Sequence, residues 1–293
     1  MNAPDPVVVN VDGVLMSGLF IEPQEPKAVI VAIHGSGTSA VYFDCPGQPS
    51  LSLLRAGAAA GFTVVALDRP GYGSSAPYPD AITRPEQRVE LAYGALDQIL
   101  GQRPRGAGLF VIGHSAGCEL TMRMAADARG ADLLGIELAG TGWHYQPEAR
   151  EIVKTDTPER RSVGLYDLLW HPQHLYPPEV LTEAIISPSA PAYENQMMSD
   201  WTRQTFLELA SAMRVPVHFS IAEHERVWQT HSSALDEIAV LFSKAPRFVL
   251  HEQPGAGHNM SVGRTASDYH STVLAFVREC LGTGSAGAVP EVD

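Results

Sequence analysis

Cysteine is scarce in this chain: Cys45, Cys118 and Cys280 are the only three in 293 residues. That is too few for a disulfide framework, and their spacing fits no metal-ligand motif. Cys118 and Cys280 fall on the apolar faces of expected helices, where a thiol acts as a small hydrophobe. No apolar stretch approaches the ~20 residues that cross a bilayer, so no membrane segment is expected. Basic residues are outnumbered, 20 Lys and Arg against 33 Asp and Glu, for a formal net charge of −13. Nucleic-acid binding rests on clustered Lys and Arg, and without a dense basic run it is not expected. The start, Met-Asn-Ala-Pro-Asp-Pro, carries neither the basic nor the long apolar region of a secretory signal, and with so few cysteines the expected compartment is a reducing cytoplasm. A Gly-rich phosphate loop is missing too. His171, His174 and His224 sit in no motif with three convergent metal ligands, so neither a metal nor another cofactor is expected.

What is present is a soluble, globular composition with 45% hydrophobic and 18% charged residues, long enough to bury a full core. Val7 to Val11 and Val14 to Ile21 read as two strands turning at Asp12-Gly13. Ala28 to Ile33, Phe62 to Leu67, Leu109 to Ile112, Leu133 to Leu138, Val215 to Ile221 and Arg247 to His251 are short apolar runs, as expected for buried strands of a parallel sheet. Between several of them lie helical stripes: a helix capped by Ser50 and running through Ala60, one opened by Pro85, and one after Ser115 with Cys118, Met122, Ala125 and Ala126 on one face. Alternation of this kind predicts an α/β fold with helices on both faces of a mostly parallel sheet, whose ligands bind at the carboxyl ends of the strands.

The stretch from Gly108 to Gly117, Gly-Leu-Phe-Val-Ile-Gly-His-Ser-Ala-Gly, joins a strand to a helix through one sharp turn that displays Ser115. Gly113 and Gly117 stand two residues either side of it, where a side chain would collide in so tight a turn. This G-x-S-x-G in its strand-turn-helix setting resembles the nucleophile elbow of the α/β-hydrolase superfamily.

The resemblance extends to further motifs in the same order. His34-Gly35-Ser36-Gly37 is similar to the loop that supplies one amide of the oxyanion hole, which implies the Ser36 amide as donor with the Ala116 amide as its partner. His34 itself is read as structural. Asp68-Arg69-Pro-Gly-Tyr-Gly-Ser-Ser resembles a structural turn of the family, in which Asp68 bonds local amides. Nine residues after Pro216 stands Glu225, at the position of the triad acid, with Glu223 as the alternative. Pro254-Gly255-Ala256-Gly257-His258 resembles the loop that carries the family's histidine. Ser115, Glu225 and His258 therefore stand in the order nucleophile, acid, histidine.

From Trp143 to about Met213 no strand is evident. Short helices broken by prolines are expected at Ser162 to Trp170, Pro178 to Ile186 and Ser199 to Met213. The resemblance implies a cap over the sheet edge, so residues 1–141 and 214–281 form the core, 142–213 the cap and 282–293 a loose tail. Trp143, Tyr145, Tyr166, Trp170, Tyr176, Tyr193 and Trp201 enrich the cap, more as its own core than as substrate contacts. Tyr42, Phe43 and Asp44 are placed by position near the pocket mouth. The expected activity is hydrolysis of a carboxylic ester of a small, partly apolar molecule through an acyl-enzyme. Thioester or lactone hydrolysis, carbon-carbon bond cleavage and ligand binding without turnover are the alternatives, and homo-oligomerisation is left open.

Overall fold

In the computed structural model, which describes residues 3–45, 47–155, 162–181 and 190–283, the chain begins with a hairpin. β1 (Asp5–Val11) and β2 (Val14–Ile21) pair antiparallel, and Asp12 and Gly13 both turn at positive φ, 49° and 91°. Such a turn matches the right-handed twist of the strands it joins. Six further strands follow: β3 (Val29–Ile33), β4 (Thr63–Leu67), β5 (Leu109–His114), β6 (Gly135–Ala139), β7 (Val217–Ala222) and β8 (Phe248–Gln253). All eight form one sheet in the order β1-β2-β4-β3-β5-β6-β7-β8. β2 meets β4 antiparallel, and every later pairing is parallel.

The central strands are buried on both faces, which is why they read as unbroken apolar runs. Period-two alternation then deals their side chains to two cores. Val29, Val31 and Ile33 enter one, Ile30 and Ala32 the other. The first face is covered by α2 (Pro85–Leu100) and α3 (Gly117–Ala126), the second by α1 (Leu53–Ala59) and α9 (Ala266–Thr283). Ser52, not Ser50, caps α1: its hydroxyl accepts the Arg55 amide at 3.1 Å, while Ser50 lies inside a preceding 3-10 turn.

Between β6 and β7 run α4 (Pro147–Lys154), α5 (Leu165–Leu169), α6 (Tyr193–Asp200) and α7 (Phe206–Ala212). A π-helical segment, Trp201–Thr205, joins α6 to α7, so helix extends further toward the N-terminus than the periodicity from Ser199 predicts. α5 is shorter than the expected Ser162–Trp170. Of the helix expected at Pro178–Ile186 only a 3-10 turn, Pro178–Leu181, lies within the described residues. The expected tail also falls largely outside them, and α9 runs on to Thr283. α8 (Ser232–Leu241) bridges β7 and β8. Three parallel strands thus end at one edge: β3 at Ile33, β5 at His114 and β7 at Ala222, each followed by a loop that carries a residue of interest.

Candidate active site

Ser115 stands at the end of β5 with φ +52°, a left-handed conformation that a non-glycine residue adopts at a steric cost. The neighbouring glycines make the turn possible. A Cβ on Gly117 would lie 2.5 Å from the carbonyl oxygens of Ile33 and His34, and one on Gly113 would lie 2.6 Å from Thr121 Oγ1. Hydrogen at Gly113 lets β5 close on α3, hydrogen at Gly117 lets α3 close on the end of β3, and Ser115 is pushed out at the apex.

His258 comes from the loop after β8 and is buried. Its Nδ1–H donates to Glu225 Oε2 at 2.9 Å, which leaves Nε2 to accept the Ser115 hydroxyl at 3.1 Å. Glu225, in the loop after β7, is itself held by the Val227 amide at 2.7 Å. Glu223 is exposed and points elsewhere, accepting the Gly255 amide at 2.7 Å. The structure thus brings together Ser115, His258 and Glu225 and leaves Glu223 apart. Gly257 serves a purpose that sequence alone does not show: a Cβ there would lie 2.1 Å from the His171 carbonyl oxygen. Glycine there lets the chain at His171 press against the histidine loop.

The His34-Gly35-Ser36-Gly37 loop lies against the elbow, since a Cβ on Gly35 would lie 3.1 Å from Ser115 Cβ. Ser36 and Ala116 both line the cavity above Ser115. Neither backbone amide has a hydrogen-bond partner among the described residues, so both donors remain available to an incoming oxygen. His34 is buried; its Nδ1–H donates to the Gly35 carbonyl at 2.8 Å and its Nε2 accepts the Arg69 amide at 3.0 Å. Burial first, then the Arg69 charge, holds its pKa well below the ordinary histidine value. For His114, burial and then His258 push the pKa down to about 3. Both rings stay neutral and put no cation beside His258.

Sequence reading passes over the support beneath this loop. Glu194, on α6, is buried and reaches down to the sheet edge. One carboxylate oxygen contacts the Arg69 guanidinium and accepts the Tyr72 hydroxyl at 2.9 Å; the other accepts the Ser36 hydroxyl at 2.6 Å. Tyr72 in turn accepts the Gly37 amide at 3.0 Å, and Arg69 donates to the Gly35 carbonyl at 3.2 Å. Arg69 and Tyr72 belong to the turn read as structural, and the acid that joins them lies more than a hundred residues on. Asp68 differs from expectation as well. It bonds the Ala40 amide at 2.7 Å and the Ser17 hydroxyl at 2.6 Å, both remote in sequence.

Ser115, His258, Gly35 and Ser36 share the wall of a cavity of about 570 Å³ with residues from α4, α5 and α6, a size suited to a small molecule. Of the seven aromatic residues expected in the cap, Tyr145 alone is among the described lining residues, stacked on Trp228 with ring centroids 4.5 Å apart. Trp170, Tyr176 and Trp201 are buried in the packing beneath. Tyr42 and Phe43 are buried too, with Tyr42 stacked on His114, and Asp44 pairs with Arg55, so these three are not among the residues that line the cavity. Among the described residues no group of three or more His, Cys, Asp or Glu is placed to hold a metal ion.

A family model described as "Alpha/beta hydrolase family" matches residues 30–268. The chain belongs to the alpha/beta hydrolase family. As an alpha/beta hydrolase it resembles several solved structures at low identity. One is a highly thermostable carboxyl esterase from Bacillus coagulans, 16% identical, TM-score 0.69, covering 96% of this chain and 100% of that one. Another is the N-acyl homoserine lactonase AidH, in a mutant complexed with N-hexanoyl homoserine, 16% identical, TM-score 0.69, covering 99% and 100%. A third is a soluble variant of monoglyceride lipase from Saccharomyces cerevisiae, 14% identical, TM-score 0.69, covering 96% of each chain. No curated protein matches the sequence. At such identities the likeness concerns the fold, which hosts many activities, so function has to be argued from the site.

Proposed function

We propose that this alpha/beta hydrolase is a serine hydrolase that cleaves a carboxylic ester of a small, partly apolar substrate through an acyl-enzyme. The observation that carries the reading is the imidazole of His258, 3.1 Å from the Ser115 hydroxyl on one side and 2.9 Å from the Glu225 carboxylate on the other. A serine hydroxyl is a weak nucleophile at neutral pH and needs a base within hydrogen-bond reach. His258 takes the Ser115 proton as Oγ attacks the ester carbonyl carbon, and Glu225 holds the tautomer and stabilises the cation formed. The Ser36 and Ala116 amides receive the negative charge that develops on the carbonyl oxygen. The carbon-oxygen bond to the leaving group then breaks, and that oxygen leaves with the proton held by His258. Water, deprotonated by the same imidazole, attacks the acyl carbon and releases the acid, and the proton returns to Ser115.

In this reading residues 1–141 and 214–281 are the catalytic core, and 142–213 is a cap that closes the cavity. The reading is supported by the lining contributed from α4, α5 and α6. The structural relatives named above include an esterase, a lactonase and a lipase. Lactones and thioesters fit the same chemistry, because the scheme constrains the carbonyl and leaves the leaving group free. Incubation with a fluorophosphonate should label Ser115, and an activated aryl ester should release product in a burst of about one equivalent. A protein that binds such esters without burst or label would be a receptor on a hydrolase fold.

A further inference from the structure

The walls of the cavity sort their charges by sign. On α4, Arg150, Val153 and Lys154 line it, whereas the helix's acids, Glu148 and Glu151, are not among the lining residues. Glu148 pairs with Arg226 and Glu151 with Lys154. On the helical run through the π segment, Ser199, Thr202 and Arg203 face the cavity, while Asp200 is turned away and accepts Gln196 at 2.9 Å. The exposed side chains of Arg150 and Arg203 make no hydrogen bond and no salt bridge among the described residues. Glu194 is the one acid among the described lining residues, and both its oxygens are occupied by Arg69, Tyr72 and Ser36. In a chain where acids exceed bases 33 to 20, a described lining with two arginines outside any salt bridge, a lysine paired with Glu151 and one neutralised acid runs against the composition. Arginine presents donors that match carboxylate and phosphate oxygens, and a concave wall of one sign concentrates ligands of the other.

We propose that the substrate of this hydrolase carries an anionic group, a carboxylate or phosphate, away from the scissile carbonyl, and that Arg150 and Arg203 select for it. This rests on the hydrolase reading and names the substrate class for that site. Two matched pairs test it. The mono-4-nitrophenyl ester of adipic acid against 4-nitrophenyl hexanoate places the charge on the acyl side. 3-Carboxyphenyl butanoate against phenyl butanoate places it on the alcohol side. In at least one pair the anionic ester should have the higher kcat/KM. The ratio should fall about fivefold or more in Arg150→Gln/Arg203→Gln and shrink in rising salt, because exposed charges are screened. Arg150→Lys/Arg203→Lys should retain most of it, which separates charge from fold. Calorimetry on Ser115→Ala with monomethyl adipate and methyl hexanoate reads binding without turnover. Tighter binding of the adipate ester, lost in the Gln variants, supports the proposal even if no ester is cleaved, in which case the hydrolase reading fails alone. Ready cleavage of all four esters, with ratios near one that the Gln variants do not move, overturns the anionic preference and leaves the hydrolase reading standing.

Discussion

At the scale of single residues, the proposed chemistry depends on three side chains acting as one unit. Ser115→Ala and His258→Ala should each lower kcat by roughly 10⁶, and the double variant should lose no more than either alone. Additive losses in steady-state or single-turnover kinetics would mean that the two do not share a step. Glu225→Gln keeps the shape but not the charge, so a loss of about 10³ to 10⁴ is expected with KM little changed. Ser115 and His258 were legible in the sequence because each lies in a local motif whose glycines report a steric need. Glu225 was legible only by counting from Pro216, and Glu223 remained open until the loop after β7 was seen to turn Glu223 toward Gly255 and Glu225 toward His258.

At the scale of elements, α6 is fastened to the turn after β4 by a buried ion pair, and to the loop that carries Ser36 by the hydroxyl that the same glutamate accepts. Arg69 and Glu194 are both almost fully covered. Removing one partner of such a pair strands the other charge away from water, at a cost of about 3–5 kcal/mol. Glu194→Ala should therefore unfold at lower denaturant, and in the folded fraction kcat should fall more than KM rises, because Ser36 loses the acceptor of its hydroxyl. A wild-type denaturant midpoint together with wild-type kcat would show that the pair neither holds the fold nor positions the loop. Periodicity revealed α2 and α3, whose apolar stripes repeat over several turns. It misjudged the helices between β6 and β7, which are short, two of them joined through a π segment, and which are held by contacts such as Trp201 Nε1 to the Gly142 carbonyl, 3.1 Å.

At the scale of the molecule, buried histidines tie stability to pH. Burial lowers His34 well below its usual value and pushes His114 and His270 down to about 3, and the His270 ring nitrogens have no partner among the described residues. The unfolded chain takes up protons below about pH 6.5 that the folded chain refuses, so this stability is complete above that pH and is lost progressively toward pH 3, at up to about 1.4 kcal/mol per pH unit for each ring. His218 acts with the opposite sign. Burial opposes its charge, but Glu137 outweighs burial and raises its pKa, so its contribution is present below pH 6.5 and lost as pH rises through the folded value. Three rings against one predict a fold that weakens between pH 6.5 and 5. Denaturant titrations should show it, and His270→Leu should flatten the slope by about 1.4 kcal/mol per pH unit; an unchanged slope would mean that His270 is protonated in the folded state.

The sequence by itself determined the elbow, the strand-helix alternation and the sheet edge where Ser115, Glu225 and His258 emerge. These follow from steric limits on glycine turns and from apolar periodicity, which act between near neighbours. Only the tertiary structure decided which glutamate meets His258, that Glu194 crosses to Arg69 and Ser36, and that Arg150 and Arg203 face the cavity. Those choices come from packing between segments remote in sequence, 33 residues apart for Glu225 and His258 and 158 for Ser36 and Glu194, and no local pattern encodes where such segments meet.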